Sequence, residues 1–230
     1  MKAIKKYFLT GIVLLNFSTG SFAQKFSASA DLQLAIPQSD YKLVNPNIGY
    51  GLRANFLYKP GKDIPIKFGI ELGMQEKERV NQYFRGNIGG FTDEFKVSAS
   101  SNIFSLMVVT RFEPVQIRKV KPFIDLSAGW NVFYSTVEVQ RLTYFSDYND
   151  SYANSTKAHW ALTYGATGGV DIPLNKKGDI GLELKLSYFI GNHSKYLTNP
   201  YIDEHAEVSF MTENSRTNML IPQAGVRFSF

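Results

Sequence analysis

The sequence predicts an antiparallel β-barrel of eight strands, and three observations carry the prediction. Apolar and polar residues alternate with a period of two along the chain after residue 24, and helical periodicity is absent there. The alternating segments are roughly 10–13 residues long, the length that a tilted strand needs to cross a bilayer, whereas ordinary globular strands have about 5–6 residues. The links between the segments alternate between short and long.

The first four segments put apolar side chains on one face and small or polar side chains on the other. In the first, Leu32 and Leu34 alternate with Asp31 and Gln33, and the next two repeat this pattern. The fourth alternates less cleanly. The predicted strands of this half cover residues 25–36, 48–58, 65–75 and about 98–113.

The last four segments follow the same alternation. The fifth starts near Phe123, and in the seventh Leu184 and Leu186 alternate with Glu183 and Lys185. The eighth ends the chain. The predicted strands of this half cover about 123–134, 157–172, 179–190 and 220–230.

The links between the segments indicate which end of the barrel is which. Short periplasmic turns and longer extracellular loops are typical of outer-membrane barrels, and an even number of strands places both termini on the periplasmic side. The short links lie at 59–63, 114–122 and 173–178. The long polar links lie at 37–47, 76–97, 141–156 and 191–215.

The first 23 residues have the layout of a cleaved secretory signal peptide. Lys2, Lys5 and Lys6 precede an apolar run over residues 7–17, and small residues precede an expected cleavage after Ala23. The alternative is an uncleaved membrane anchor. That alternative is disfavoured because the apolar run has roughly half of the ~20 residues that a transmembrane helix needs.

The composition excludes several other classes of protein. Three of the 25 Lys and Arg residues lie in the signal, which leaves 22 against 20 acids, and no basic tract marks a nucleic-acid surface. There is no cysteine, which excludes a lipoprotein, a disulfide framework and thiol catalysis. No later stretch of 18 apolar residues predicts a transmembrane helix. We therefore expect one barrel domain over residues 24–230.

The apolar face is predicted to point outward toward lipid, and not inward as in a lipocalin-like carrier. The polar face is rich in Gly, Ser, Thr and Asn, and small residues suit the narrow interior of an eight-stranded barrel. Aromatic residues fall near the strand ends on the apolar face, where amphipathic rings form interfacial girdles. They are Tyr50, Trp130, Tyr134, Trp160 and Tyr188 toward the outer end, and Tyr58, Phe228 and Phe230 toward the periplasmic end. The predicted fold class is all-β, a closed antiparallel eight-stranded transmembrane up-and-down β-barrel.

The last strand carries a family resemblance. It ends Val226-Arg227-Phe228-Ser229-Phe230, and Phe228 and Phe230 resemble the C-terminal signal that barrel-assembly machinery reads in outer-membrane proteins. With the signal peptide and the eight segments, the whole mature chain resembles the small OmpA/OmpX-type barrels. It is still more similar in pattern to the barrel domains of Bacteroidetes outer-membrane proteins of the porin-family or PorT-like kind.

That resemblance implies a place in the outer membrane of a Gram-negative cell. It implies contact with outer-membrane lipids and lipopolysaccharide, and with the barrel-assembly machinery during biogenesis. The PorT-like resemblance alone implies an accessory role in protein secretion or motility. Such families share few diagnostic residues, so the resemblance implies a fold and a location and does not imply an activity.

The lumen is predicted to hold charges of both signs. Five cations and four acids allow near-complete neutralisation, and unpaired charges in so narrow a space are costly, so we expect most to pair across the barrel. A packed lumen argues against a general diffusion pore, which needs about 16–18 strands. The predicted lumen charges are Arg53, Lys67, Glu71, Arg111, Asp125, Asp171, Glu183, Lys185 and Arg227.

Candidate catalytic and metal-binding residues are few. His193 and Ser194 lie near the rim where some small outer-membrane barrels carry a Ser/His pair, but adjacent strand residues point to opposite faces. His205 has acidic neighbours whose spacing matches no zinc site. His159 fits a hydrogen-bonded rim residue better than a catalytic base. We expect no catalytic residue, no metal site and no cofactor.

The long links carry aromatic residues that suggest a binding surface. The segment 144–152 mixes Tyr and Phe with Asp, Asn and Ser, a composition that suits sugars or calcium although it falls short of an EF-hand. Tyr83 and Phe84 lie in the second long link, and Tyr196 and Tyr201 in the fourth. Packing of the loops on one another, or contact with lipopolysaccharide, is the alternative interpretation.

The leading functional hypothesis is a non-enzymatic outer-membrane barrel with a side-chain-plugged lumen. It would serve as an envelope component or bind an extracellular ligand through its four long links. The alternatives are a narrow channel or transport-related barrel and an accessory protein of secretion. A lipid-modifying enzyme is less favoured because no catalytic set is visible.

Overall fold

The computed structural model describes residues 26–61, 64–88, 91–114, 120–142, 151–155 and 158–230, so the predicted signal peptide lies outside the described residues. The described chain is almost entirely strand. Its elements are β1 (Phe26–Pro37), α1 (Ser39–Val44), β2 (Gly49–Tyr58), β3 (Ile66–Ile88), β4 (Phe91–Phe112), β5 (Lys121–Leu142), β6 (Ser151–Ser155), β7 (His159–Pro173), β8 (Ile180–Gly191), β9 (His193–Ile202), β10 (Val208–Arg216) and β11 (Met219–Ser229).

Eight of these strands close an antiparallel barrel. They run in the order β1, β2, β3, β4, β5, β7, β8 and β11, and β11 pairs back with β1. The closing ladder brings Ala30 opposite Val226, and the backbones of Phe26 and Phe230 exchange two hydrogen bonds of 2.9 Å. The predicted closed eight-stranded barrel is therefore confirmed.

The two ends of the barrel differ. β2, β4 and β7 end, and β3, β5 and β8 begin, at the end of the barrel where both ends of the described chain lie, called the turn end. The opposite end, called the loop end, carries α1, the β9–β10 hairpin and the extensions of three strands. In the turn between β7 and β8, Gly178 has a φ of 72° and Asn175 Oδ1 accepts the backbone N–H of Asp179 at 2.9 Å.

Three strands continue past the barrel at the loop end. β3, β4 and β5 have 23, 22 and 22 residues, and β3 stays paired with β4 from Ile66 opposite Phe112 to Ile88 opposite Phe91. The prediction of a long polar link over 76–97 is therefore wrong. Residues 76–88 and 91–97 lie in a paired ladder, and a bulge between Glu76 and Glu78 marks the start of the extension.

The remaining long links are also more ordered than predicted. Residues 39–44 form α1 within the first link, and β9 and β10 form a hairpin within the fourth. In the third link β5 continues to Leu142 and β6 pairs with it, whereas residues 143–150 lie outside the described residues. The hairpin packs on the inner face of the extension. Its core joins Val97, Ala99 and Ile202 to Phe84, Val137, Val139, Ala206, Val208 and Phe210.

The barrel wall is apolar outside and polar inside. Leu32, Val108 and Leu126 point outward and are 69%, 64% and 61% exposed, whereas Asp31 and Asp125 on the same strands are buried. This is the inverted arrangement that the alternation predicts. Among the described residues, no helix combines the length and hydropathy that crossing a membrane would need.

Candidate functional site

A buried ion network occupies the middle of the lumen. The Arg111 guanidinium donates to Asp125 Oδ1 and Oδ2 at 2.8 and 2.9 Å, and to Glu183 Oε1 at 2.6 Å. Lys185 Nζ lies 2.7 Å from Glu183 Oε2 and 2.8 Å from Asp31 Oδ2. Five charges from strands β1, β4, β5 and β8 thus form one continuous chain across the barrel.

Three further ion pairs extend the charged region. Arg53 Nη1 donates to Glu71, and its Nε donates to Gln33 Oε1 at 2.7 Å. Toward the turn end, Arg227 Nη2 lies 2.9 Å from Asp171 Oδ2, and Lys67 Nζ lies 2.6 Å from Glu113 Oε1. Every one of the nine charges expected in the lumen has an opposite charge within ion-pairing distance. The pairs are Arg53–Glu71, Lys67–Glu113, Arg111–Asp125, Arg111–Glu183, Lys185–Glu183 and Arg227–Asp171.

Asp31 and Glu113 complete these pairs but were not among the predicted lumen charges. Asp31 lies on the polar face of β1, so the alternation signal was present in the sequence. Its pairing with Lys185 depends on β11 bringing β1 beside β8, a contact between residues 154 positions apart. Glu113 directly follows β4 at the turn end, at the last position of the fourth predicted segment.

Aromatic rings close the lumen above the ion network. Tyr41 from α1, Phe133 from β5 and Tyr196 from β9 lie with ring centroids 5.3–6.4 Å apart. Edge-to-face and tilted contacts at this spacing are favourable. The same buried cluster contains Ala35, Ile103, Ala161, Phe189, Met219 and Ile221. The lumen is thus filled by a charged layer and by an apolar layer, and the sequence predicted only the charged layer.

The Glu78 side chain on β3 accepts hydrogen bonds from two segments at the loop end, the α1 segment and the β9–β10 hairpin. Its carboxylate accepts from Asn47 Nδ2 at 2.9 Å, from Thr198 Oγ1 at 3.0 Å and from the Asn199 N–H at 2.6 Å. Asn45 Nδ2 donates to the same Thr198 hydroxyl at 2.9 Å. The α1 segment (38–48) and the β9–β10 hairpin, together called the cap, therefore converge on one carboxylate of β3.

Lys77 lies beneath the cap. Its ammonium donates to the carbonyl of Asn47 and lies 5.2 Å from the centroid of the Tyr41 ring. Burial disfavours the charged form and lowers the pKa of Lys77 to about 8, although nearby Glu78 acts in the opposite direction. The position of Lys77 beneath the cap therefore disfavours its protonated form.

Outward-facing residues that pair across β2, β3, β4 and β5 form rows, and successive rows change from apolar to polar toward the loop end. One row across β2, β3, β4 and β5 is Leu52, Met74, Phe104 and Val132. The next outward-facing row toward the loop end is Tyr50, Glu76, Asn102 and Tyr134. The row after that is Arg79, Ser100 and Thr136. The apolar band thus ends at one level on these four strands.

The predicted interfacial aromatics lie on the outward face, at different heights. Tyr50 and Tyr134 are the first and last residues of the first polar row, and the Tyr50 hydroxyl donates a hydrogen bond to Glu76 Oε1 at 2.9 Å. Trp130, Trp160 and Tyr188 are exposed within the upper part of the band. Phe26, Tyr58, Phe228 and Phe230 are exposed toward the turn end, and Phe26 packs against Tyr58 and Phe230.

The weaker candidates for chemistry are not brought together. His193 is exposed and Ser194 is buried, and the Ser194 hydroxyl donates to the carbonyl of Trp160 at 3.3 Å. His205 is exposed beside a turn in which Asp203 accepts backbone N–H groups. His159 is half-buried at the start of β7. Within the described residues, no cluster of His, Asp and Glu has the geometry to hold a metal ion.

The aromatic residues of the long links divide into two groups. Tyr196 is buried in the lumen cluster and Phe84 packs on the hairpin core, so they are structural. Tyr83 and Tyr201 are exposed at the loop end. The predicted sugar- or calcium-binding segment 144–152 falls mostly outside the described residues.

Comparison with known proteins gives likenesses of fold only. No protein-family model and no curated protein matches the chain. The structure is similar to that of Neisserial surface protein A, with 16% identity, 89% of this chain and 97% of that chain covered, and a TM-score of 0.46. It is also similar to a major outer membrane protein from Thermus thermophilus, with 12% identity, coverage of 90% and 98%, and a TM-score of 0.46.

A third similar structure is Ail, the attachment invasion locus protein of Yersinia pestis, in complex with the heparin analogue sucrose octasulfate. It shows 13% identity, coverage of 90% of this chain and 100% of that chain, and a TM-score of 0.33. Likenesses at this level support no inference about function. The fold assignment therefore rests on the strand pairing itself.

Proposed function

We propose that this chain is an integral outer-membrane β-barrel protein that acts without enzymatic activity. The single observation that carries the proposal is the continuous band of exposed apolar side chains around the barrel. Monomeric proteins in water rarely expose an apolar patch larger than a few hundred Å², and larger ones mark contact with a membrane or a partner. A band that encircles a closed barrel fits lipid best.

The dimensions and hydrogen bonding of the barrel support insertion. On β8 the outward apolar residues run from Ile180 to Ile190, which is 11 residues of a 12-residue strand. Tilted membrane strands need about 9–11 residues. A closed ladder also leaves no unpaired strand edge within the hydrocarbon, where unsatisfied backbone groups cost several kcal/mol each.

We infer that the turn end faces the periplasm and that the loop end faces the outside. Short turns on the periplasmic side and longer segments outside are the rule for such barrels. Export through the predicted signal peptide, cleaved after Ala23, would deliver the chain to the periplasm, from which it inserts. Insertion by the barrel-assembly machinery would then use the last strand, on which Phe228 and Phe230 are exposed on the outward face.

The filled lumen favours an envelope component or a binding protein over a channel. The charged pairs and the apolar cluster around Tyr41, Phe133 and Tyr196 fill the lumen in two layers, and the ordered elements at the loop end offer a surface for an extracellular ligand. An accessory role in secretion, as in PorT-like proteins, has the sequence resemblance as its only support. A lipid-modifying activity has no assembled catalytic group among the described residues.

Two measurements test this proposal together. In detergent, the unboiled protein should migrate differently from the boiled protein on a gel, because a closed barrel resists the denaturant. In a planar bilayer, the pure protein should give no stable single-channel steps. Identical migration combined with solubility in the absence of detergent contradicts membrane insertion, whereas regular conductance steps contradict the closed lumen.

A further inference from the structure

A polar cup lies on the outside of the barrel, directly above the apolar band. It has a volume of about 210 Å³ and is built on β3, β4 and β5. Its floor is formed by Ser98 and Ser100, which point outward and yet are each only 5% exposed because longer neighbours surround them. Arg79, Thr136 and Glu138 form its walls.

An apolar groove continues from this cup down the membrane-facing surface. The groove has a volume of about 890 Å³, and Asn102 and Tyr134 line both the cup and the groove. The groove is deepest where the small side chains of Ala30 and Ala54 lie opposite each other on neighbouring strands. Larger side chains stand around it, among them Leu52, Met74 and Phe104.

From this continuity we infer that the barrel binds one glycolipid of the outer leaflet, with a neutral sugar in the cup and an acyl chain in the groove. The inference rests on the proposed membrane insertion. A cup of polar groups that opens into an apolar groove matches an amphiphile and no purely polar or purely apolar ligand. A volume of 210 Å³ equals about seven waters of liquid volume, which suits a single sugar ring.

The charges in the cup favour a neutral headgroup over a phosphate. Arg79 is already engaged, because its Nε and Nη2 donate to Glu76 Oε2 at 3.0 and 2.5 Å. Glu138 adds a second carboxylate on the other side of the cup. A phosphate would therefore meet two carboxylates and a single compensated arginine, and like charges at close range are repulsive.

The other groups in the cup suit the hydroxyls of a sugar. Ser98, Ser100, Thr136 and Tyr134 each carry a hydroxyl that both donates and accepts, and Asn102 adds an amide. Asn102 Nδ2 donates to Ser100 Oγ at 2.9 Å, which orients the floor of the cup. Buried polar groups that lose water must find partners, and ring hydroxyls supply them.

Fluorescence quenching can test the inference because the chain has only two tryptophans. In a Trp160→Phe variant, Trp130 remains as the single reporter, on the outward face of β5 two alternations below Tyr134. The protein is reconstituted into phosphatidylcholine vesicles that contain a minor fraction of a lipid with brominated acyl chains. The brominated lipid is monogalactosyl diacylglycerol, phosphatidylcholine, phosphatidylethanolamine or phosphatidylglycerol.

We expect the brominated glycolipid to quench Trp130 as strongly as about a tenfold higher fraction of brominated phosphatidylcholine would. This ratio corresponds to ~1.4 kcal/mol of preference for the glycolipid over phosphatidylcholine. Ser100→Leu, which fills the cup, should reduce the quenching to the level of brominated phosphatidylcholine. Ser209→Leu, on the exposed face of β10, is the matched control and should leave the preference unchanged. Retained heat-modifiable migration shows that each variant is folded.

Each remaining outcome overturns the inference. Equal quenching by all four lipids means that the barrel has no preferred lipid, and stronger quenching by phosphatidylglycerol or phosphatidylethanolamine means that the cup takes a charged headgroup. A preference that survives Ser100→Leu places the glycolipid elsewhere. Absence of quenching by every brominated lipid contradicts membrane insertion itself, so failure of the proposed function is distinguishable from failure of this inference.

Discussion

Replacement of Arg111 tests whether the ion network stabilises the barrel. Arg111 makes two hydrogen bonds to Asp125 and one to Glu183, and these three side chains are between 0 and 2% exposed. Its guanidinium also lies 3.7 Å from the centroid of the Phe123 ring. An Arg111→Met substitution keeps much of the side-chain volume but leaves two carboxylates buried with less compensation.

The structure sets the size of the expected effect. Loss of one partner from a buried ion pair costs about 3–5 kcal/mol. Glu183 retains Lys185 at 2.7 Å, whereas Asp125 loses both of its charge-assisted bonds. We expect Arg111→Met to lower the free energy of unfolding by about 3–5 kcal/mol. The assay is urea unfolding in phospholipid vesicles, followed by the difference in gel mobility between folded and unfolded protein.

Two comparison variants make the test specific. Arg111→Met combined with Asp125→Asn and Glu183→Gln leaves Lys185 and Asp31 as a balanced pair and should recover most of the lost stability. Lys67→Met breaks a pair at the turn end whose side chains are 14% and 22% exposed, and should cost less than Arg111→Met because the remaining carboxylate can reach water. The reasoning is refuted if Arg111→Met costs no more than Lys67→Met, or if the triple variant is as unstable as the single one.

Three further predictions concern the cap, its dependence on pH and assembly. Glu78→Ala removes the carboxylate that holds residues 38–48 and 193–216 to β3, so amide hydrogen exchange in these two segments should become faster, with little change toward the turn end. Unchanged exchange in the two segments would contradict the role of this carboxylate. In the folded protein the pKa of Lys77 is lowered to about 8 from its ordinary 10.5, so between these pH values the unfolded chain binds more protons than the folded one. The free energy of unfolding should therefore rise as pH increases from about 8 to 10. Lys77→Met should abolish that rise in urea titrations, and a rise of equal size in the variant would assign it to other groups. Phe230→Ser should reduce the amount of folded barrel in the outer membrane without changing the stability of the purified protein by more than about 1 kcal/mol, and normal assembly would count against a role in insertion.

The strands of the barrel could be predicted because their physics is local. Each one puts alternate residues on the apolar outer surface and in the narrow lumen, so a period of two appears in the sequence of every strand. Leu184 and Glu183 on β8 are an example, since the first is exposed and the second is fully buried. The closure of eight such segments then follows from the need to pair every backbone group.

The extension of β3, β4 and β5 was not predicted because its polarity is reversed. In the barrel part of β4, Leu106 points outward and Ser105 points into the lumen. In the extension, Val97 points inward to the hairpin and Ser98 points outward. The alternation continues along the strand, but the apolar residues change face where the outer surface turns from apolar to polar. A phase reversal of this kind is a signal that the sequence does contain.

The cap was beyond prediction for a different reason. Tyr41 and Tyr196 lie in links that show no alternation, and their rings meet only because α1 and β9 fold back over the same opening. Nothing in either segment identifies the other. The same holds for Asn45 and Thr198, which are 153 residues apart in the chain. Contacts of this kind are set by the folded barrel and not by local pattern.

The most direct test of the account is the accessibility of the apolar band. The chain has no cysteine, so single cysteines can be introduced without background. Leu126→Cys in the band and Tyr83→Cys on the extension are both exposed positions in the absence of a membrane. In reconstituted vesicles, a membrane-impermeant maleimide should label Tyr83→Cys readily and leave Leu126→Cys unlabelled until the vesicles are dissolved and the protein is unfolded. Equal labelling of the two positions in intact vesicles would contradict the assignment of this barrel to the membrane.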